Sequence, residues 1–234
     1  DAHAAHGSAA PPARPGSATA SFTAEAWERA APVRDAIDAL PLVRGLGDGS
    51  LTRDRFDYYM AQDALYLAEY GRALAGVAAL SDEPDEFVFL CDAAPEAVVV
   101  ERALHAAHVD LTAGADASPT CRAYTDFLRA RCALGSYGVA VAAVLPCFWI
   151  YQDVGAGMIA RAGDLGAHPY GDWIATYADP GFERSTDRVR SIADRLARAA
   201  GDGERERMHA SFATAGRHEW MFWDAAWRME DWPV

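Results

Sequence analysis

The chain has 234 residues, 51% of them apolar, and a formal charge of −13. That is enough apolar material for one sizeable core, and the wrong sign for a nucleic-acid binder, which needs a basic face. All 21 basic residues are arginine, which excludes lysine Schiff-base chemistry and lysine-anchored pyridoxal phosphate.

Residues 1–20, DAHAAHGSAAPPARPGSATA, are rich in Ala, Pro, Gly and Ser without apolar periodicity and read as a disordered tail, with His3 and His6 inside it. Ser21 or Thr23 caps a first helix to about Leu40, with Trp27, Ala30, Val33 and Ile37 at helical spacing. Gly45, Gly47 and Gly49 predict a loop, and Thr52 then starts a long helix striped by Phe56, Tyr59, Asp63, Tyr66 and Tyr70. Pro84 and Asp85 open a third helix reaching about Ala113, and Ser118 opens a fourth that Gly135 ends. A fifth helix covers Tyr137 to Ala162, followed by a turn from Gly163 to Pro169. Shorter helices over Tyr170 to Tyr177 and Phe182 to Ala200 precede a last one from Glu204 to about Met229. Period-two alternation is scarce, so the expectation is an all-α fold, one bundle of seven or eight helices over residues 21–234.

Cys91, Cys121, Cys132 and Cys147 form no C-x-x-C pair, which favours free thiols in a reducing, cytoplasmic compartment. The longest apolar run, Val139 to Ile150, is interrupted by Pro146 and falls short of the roughly 20 residues of a membrane span. Neither a membrane nor a secretory route is expected. The acidic balance mildly favours a cationic ligand.

Three segments carry possible chemistry. In AAVLPCFWIYQDVG, Pro146 removes a backbone hydrogen bond from a strong helix, at a cost of about 3 kcal/mol in an exposed helix interior, and sets Cys147 apart from routine packing. Tyr151 lies one turn on, on the face of Cys147. In YYMAQDALYLAEY, Asp63 stands in an aromatic stripe, either at a solvated edge or buried with a partner. In RHEWMFWDAAWRMEDW, Glu219 precedes Phe222 and Trp223 by one turn; an apolar wall there raises a carboxyl pKa and makes a usable general acid. Each has a plainer reading: a buried core thiol, a solvated carboxylate, and a helix docking its tryptophans while Glu219 faces solvent. Tyr124 and Tyr177 are compatible with half-buried packing.

Taken in order, LVRGLGDGSLTRDRFDYYMAQDALYL, PTCRAYTDFL, LPCFWIYQDVG, HPYGDWIATYADPGF and EWMFWDAAWRMEDW resemble the thiaminase II (TenA) family from about Phe22 to Trp232. The resemblance implies the all-helical fold of haem oxygenase and a homotetramer. It implies Cys147 as nucleophile, Glu219 as proton donor, and Tyr66 as the tyrosine that sharpens the thiol. Asp63 would hold the amino edge of a pyrimidine; Tyr124, Tyr151 and Tyr177 would contact substrate, and Phe222 would line the wall. Phe148 and the Gln152–Asp153 pair depart from the family's frequent residues, with consequences for ligand preference rather than for catalytic groups.

The implied reaction is hydrolysis of an aminopyrimidine, thiamin or its product 4-amino-5-aminomethyl-2-methylpyrimidine, releasing hydroxymethyl-pyrimidine without a metal or organic cofactor. The residues leave open which of the two is preferred. Two rival readings remain at this stage. One is a di-metal oxidase of the same fold, drawing on Glu101, His105, His108 and His218. The other is a non-catalytic pyrimidine-binding regulator.

Overall fold

The computed structural model describes residues 20–95, 116–177 and 179–234. Among these the chain is helical, with no strand: α1 (Phe22–Arg29), α2 (Ala31–Asp38), α3 (Pro41–Asp48), α4 (Arg53–Ala79), α5 over residues 84–95, α6 (Pro119–Leu134), α7 (Tyr137–Ala162), α8 (Gly171–Thr176), α9 (Pro180–Ala199) and α10 (Asp202–Arg228). The tail proposed for residues 1–20 falls, apart from Ala20, outside the described residues, as does the third helix beyond residue 95.

The N-terminal region corrects the sequence reading. One helix to Leu40 becomes two, and Gly45 and Gly47 lie within α3 rather than in a loop. The prolines explain the breaks. Pro32 starts α2 and Pro41 starts α3, each where a missing N–H costs nothing, and Leu40 before Pro41 is extended at φ −62°, ψ 137°. Only Gly49 acts as the turn glycine, closing α3 at φ 79°. Counting these pieces gives ten helical segments among the described residues instead of seven or eight.

Elsewhere the capping residues stand where the sequence puts them. Ser21 accepts from Ala24 N, Ser118 from Cys121 N and Ser136 from Val139 N, satisfying donors at the starts of α1, α6 and α7. Asp179 caps α9 through Gly181 N.

The centre of the bundle is α7, packed chiefly against α10 and α9, with α3, α4 and α6 completing its surroundings. It is long and apolar enough to cross a membrane, contrary to the reading of its interrupted apolar run, but 78% of its apolar window is buried inside the protein. Ala140 through Leu145 are all fully buried, which accounts for their composition as core. The helix runs through Pro146, and neighbouring helices donate hydrogen bonds to carbonyls in the turns before it. The Tyr70 hydroxyl of α4 donates to Val144 O at 2.8 Å, and the Ser211 hydroxyl of α10 donates to Val139 O at 3.0 Å. Far from the core's centre, Arg195 of α9 grips the buried Glu86 of α5 through two 2.6 Å hydrogen bonds.

Candidate active site

Helical spacing brings the expected residues of each helix onto one face. On α4, Asp63, Tyr66 and Tyr70 follow at i, i+3 and i+7; on α7, Cys147 and Tyr151 follow at i, i+4. These faces meet around a cavity of about 370 Å³, lined at one end by Asp63, Tyr66, Tyr70, Cys147, Phe148 and Tyr151. Tyr177, Phe182 and the turn between α8 and α9 continue the wall. Asp63 is 2% exposed, so the solvated-edge reading of this carboxylate does not hold.

Glu219, Tyr124 and Phe222 are not among the lining residues but adjoin this end, close enough for the Glu219 charge to act on the Cys147 thiol. Glu219 is 1% exposed, which also removes the reading in which it faces solvent. The Tyr124 hydroxyl donates to Glu219 Oε1 at 2.5 Å. His218 stacks on the Tyr124 ring with centroids 5.0 Å apart and planes 7° from parallel. Phe222 packs on Tyr66 at 5.4 Å and edge-on to Tyr59 at 6.2 Å.

Burial pushes the Glu219 carboxyl up to about 8; the Tyr124 hydrogen bond opposes this and the nearby charge of Asp63 adds to it. At neutral pH Glu219 is therefore mostly a neutral acid. Burial likewise pushes the Cys147 thiol well above its usual value, and the adjacent charge of Glu219 pushes it further. The hydroxyls of Tyr66 and Tyr70 act on the sulfur in the opposite sense, favouring the thiolate. They are not equivalent. Tyr70 spends its proton on Val144 O, whereas the buried Tyr66 hydroxyl makes no close hydrogen bond and acts on both the Cys147 thiol and Tyr124.

The tyrosines form a continuous aromatic lining. Tyr151 and Tyr59 share a hydrogen bond of 3.2 Å, and Tyr151 lies 5.7 Å from Tyr177. Gly155, one turn beyond Tyr151, makes this possible: a Cβ there would sit 2.4 Å from the Cβ of Tyr177. Among the described residues, no group of three His, Cys, Asp or Glu side chains is placed to hold a metal. Glu101, His105 and His108 of the oxidase reading lie outside the described residues, and His218 is committed to its stack on Tyr124.

Sequence reasoning missed Tyr70, Phe182 and Asp179 as parts of the cavity. Tyr70 was within reach, because the stripe that contains Asp63 and Tyr66 extends to it. Asp179 comes from the α8–α9 turn and Phe182 from the first turn of α9, where periodicity gives little guidance.

An all-helical bundle with its cavity buried between the central helices belongs to the haem-oxygenase-like fold class. Within that class, residues 27–229 match the model of the TENA/THI-4/PQQC family, and the chain belongs to this family. It is 32% identical to an aminopyrimidine aminohydrolase of Halalkalibacterium halodurans, over 91% of this chain and 98% of that protein. It is 35% identical to the thiamine biosynthesis multifunctional protein ThiED of Corynebacterium glutamicum, over 88% of this chain but only 27% of that longer protein. The chain thus spans about a quarter of that relative's length. A TenA homologue of Pyrococcus horikoshii superposes with a TM-score of 0.80 at 26% identity, covering 89% of this chain and 99% of the homologue.

Proposed function

We propose that the protein is a thiaminase II-type hydrolase that releases hydroxymethyl-pyrimidine from thiamin or from its aminomethyl-aminopyrimidine product, with Cys147 as nucleophile. The observation that carries this reading is the placement of a half-buried thiol on the wall of a tyrosine-lined cavity, close to the buried Glu219 carboxyl that burial keeps largely protonated. The aminopyrimidine aminohydrolase name of a relative matched over nearly its whole length supports the substrate class.

Asp63 accepts from the exocyclic amine of the ring, and the faces of Tyr151 and Tyr177 hold the ring flat. The Cys147–Glu219 pair works with one shared proton. In its reactive form the sulfur is a thiolate, supported by Tyr66, and the carboxyl is neutral. The sulfur adds to an electron-poor ring carbon while Glu219 gives its proton to a ring nitrogen, so charge never accumulates on the ring. The electron pair released in the dearomatised ring expels the substituent from the methylene arm, as neutral thiazole from thiamin or as ammonia from an aminomethyl group. Water adds to the exposed methylene, its proton is lost, and expulsion of the thiolate restores the aromatic ring. Tyr124 holds the Glu219 carboxyl in place through its hydrogen bond, and Phe222 backs Tyr66.

The protein is further proposed to act in the cytoplasm as a homotetramer, with residues 21–234 as one catalytic domain. The deciding experiment is a parallel assay of thiamin and aminomethyl-aminopyrimidine hydrolysis by the wild type and by Cys147→Ser. Turnover lost in the variant supports the reading. Undiminished turnover removes the nucleophile.

A further inference from the structure

The cavity is longer than its reactive end requires. From Asp63 and Cys147 it passes Tyr151 and Tyr177 and reaches the α8–α9 turn, where Asp179, Phe182 and Ser185 bound it. A volume of about 370 Å³ is generous for one flat ring with short arms, since cavities of roughly 300 Å³ upward hold drug-sized molecules.

Charge along the cavity has one sign. Asp63 and Asp179 are carboxylates, and among the described residues no arginine or histidine lines the cavity. Arg184 lies beside the turn, its Nη2 3.7 Å from where a Cβ on Gly181 would sit, but it is not on the wall. The Asp179 Oδ1 accepts the Gly181 N–H at 2.5 Å, so this carboxylate already answers the positive end of α9. Its Oδ2 takes no hydrogen bond or ion pair among the described residues.

We propose that Asp179, with the Ser185 hydroxyl, forms an outer subsite that receives the leaving group and selects one that is cationic and unphosphorylated. This rests on the hydrolase reading for what leaves, but not for what binds. The thiazolium of thiamin carries a fixed positive charge, which vanishes when the carbon–nitrogen electron pair goes to the departing thiazole. Until that bond breaks the charge is the same in the bound substrate and in the transition state for addition of the sulfur, so Asp179 stabilises both alike. Its effect falls on KM and not on kcat. A phosphate on the thiazole arm would meet the Asp179 carboxylate, with no cation on the wall among the described residues to balance it. Aminomethyl-aminopyrimidine lacks the thiazole ring and so has no leaving ring to place in the subsite.

Asp179→Asn tests this with the α9 cap retained, because asparagine caps a helix as well as aspartate does. The expected result is a rise of about fivefold in KM for thiamin, kcat unchanged, and no change with aminomethyl-aminopyrimidine. The difference should shrink as salt screens the charge, and thiamin monophosphate, poor with the wild type, should improve relative to thiamin. An unchanged KM for thiamin, or equal shifts with both substrates, overturns the subsite. Thiamin binding to Cys147→Ser and to Cys147→Ser/Asp179→Asn, measured by calorimetry, gives the same ratio without turnover. An inactive wild type would thus sink the hydrolase reading alone, while the binding ratio still decides the role of Asp179.

Discussion

The Tyr124 hydroxyl and the Glu219 carboxyl are joined by a hydrogen bond of 2.5 Å beside the reactive end of the cavity. Because the hydroxyl donates to the charged form, it lowers a pKa that burial has raised to about 8. In the one-proton mechanism, the free enzyme becomes reactive as the thiol–carboxyl pair loses its first proton. The profile of kcat/KM against pH should accordingly climb to about pH 8 before levelling. Tyr124→Phe removes the opposing bond, so the climb should move to higher pH. Steady-state kinetics from pH 6 to about 10 check this, and a limb that stays in place dissociates Glu219 from the profile.

Burial of Glu219 also makes stability depend on pH. Its folded pKa lies above the unfolded value of 4.5, so between 4.5 and about 8 the native state holds a proton that the unfolded chain has lost. The stability gained from this group is complete below about pH 4.5 and is lost as pH rises through about 8. Glu219→Gln keeps the shape and has no proton to lose. Its Tm should exceed that of the wild type at pH 8.5, and the difference should close toward pH 4.5. A gap independent of pH would contradict the assignment.

The inequivalence of Tyr66 and Tyr70 predicts a difference in thiol reactivity. Tyr66→Phe removes the donor available to the Cys147 sulfur and should slow its alkylation by iodoacetamide about tenfold at pH 8. Tyr70→Phe should do less, since its proton is spent on Val144 O. Burial lifts Cys121 to about 12 and Cys132 to about 11. Mass spectrometry of the Cys147 peptide separates it from these and from Cys91. Equal rates in the two variants would mean that Tyr66 does not assist the thiolate.

Gly155 sets how closely α7 approaches Tyr177. A methyl group there would meet the Tyr177 Cβ at 2.4 Å and displace that ring from the cavity wall. Gly155→Ala should raise KM severalfold with a smaller change in kcat, because the stacking surface moves while Cys147 and Glu219 do not. Titration of the variant with a pyrimidine ligand provides the check.

Much of this was legible from residue spacing. The stripe of Asp63 and Tyr66, the Cys147–Tyr151 pair, and the helix starts at Ser118 and Thr52 needed only helical geometry. Glu219 as a buried carboxyl needed the aromatic residues one turn on. What spacing could not convey was depth. Nothing local distinguishes Tyr151, on the cavity wall, from Tyr124, which adjoins it without lining it. The division of the N-terminal region was misread because apolar periodicity outweighed Pro32 and Pro41, although the residue before Pro41 had to leave the helical conformation. Asp179 escaped notice because its role comes from a turn between two helices, and turns carry no period.

The thiol and its acid partner are separated by 72 positions along the chain, 147 to 219, and the acid lies on the final helix. Ribosomal synthesis therefore delivers the proposed nucleophile long before its proposed acid partner. Until α10 docks, the sulfur sits in an unfinished shell without its proton source. Chains cut short before this helix should be inert toward the ring, whatever helical content they retain.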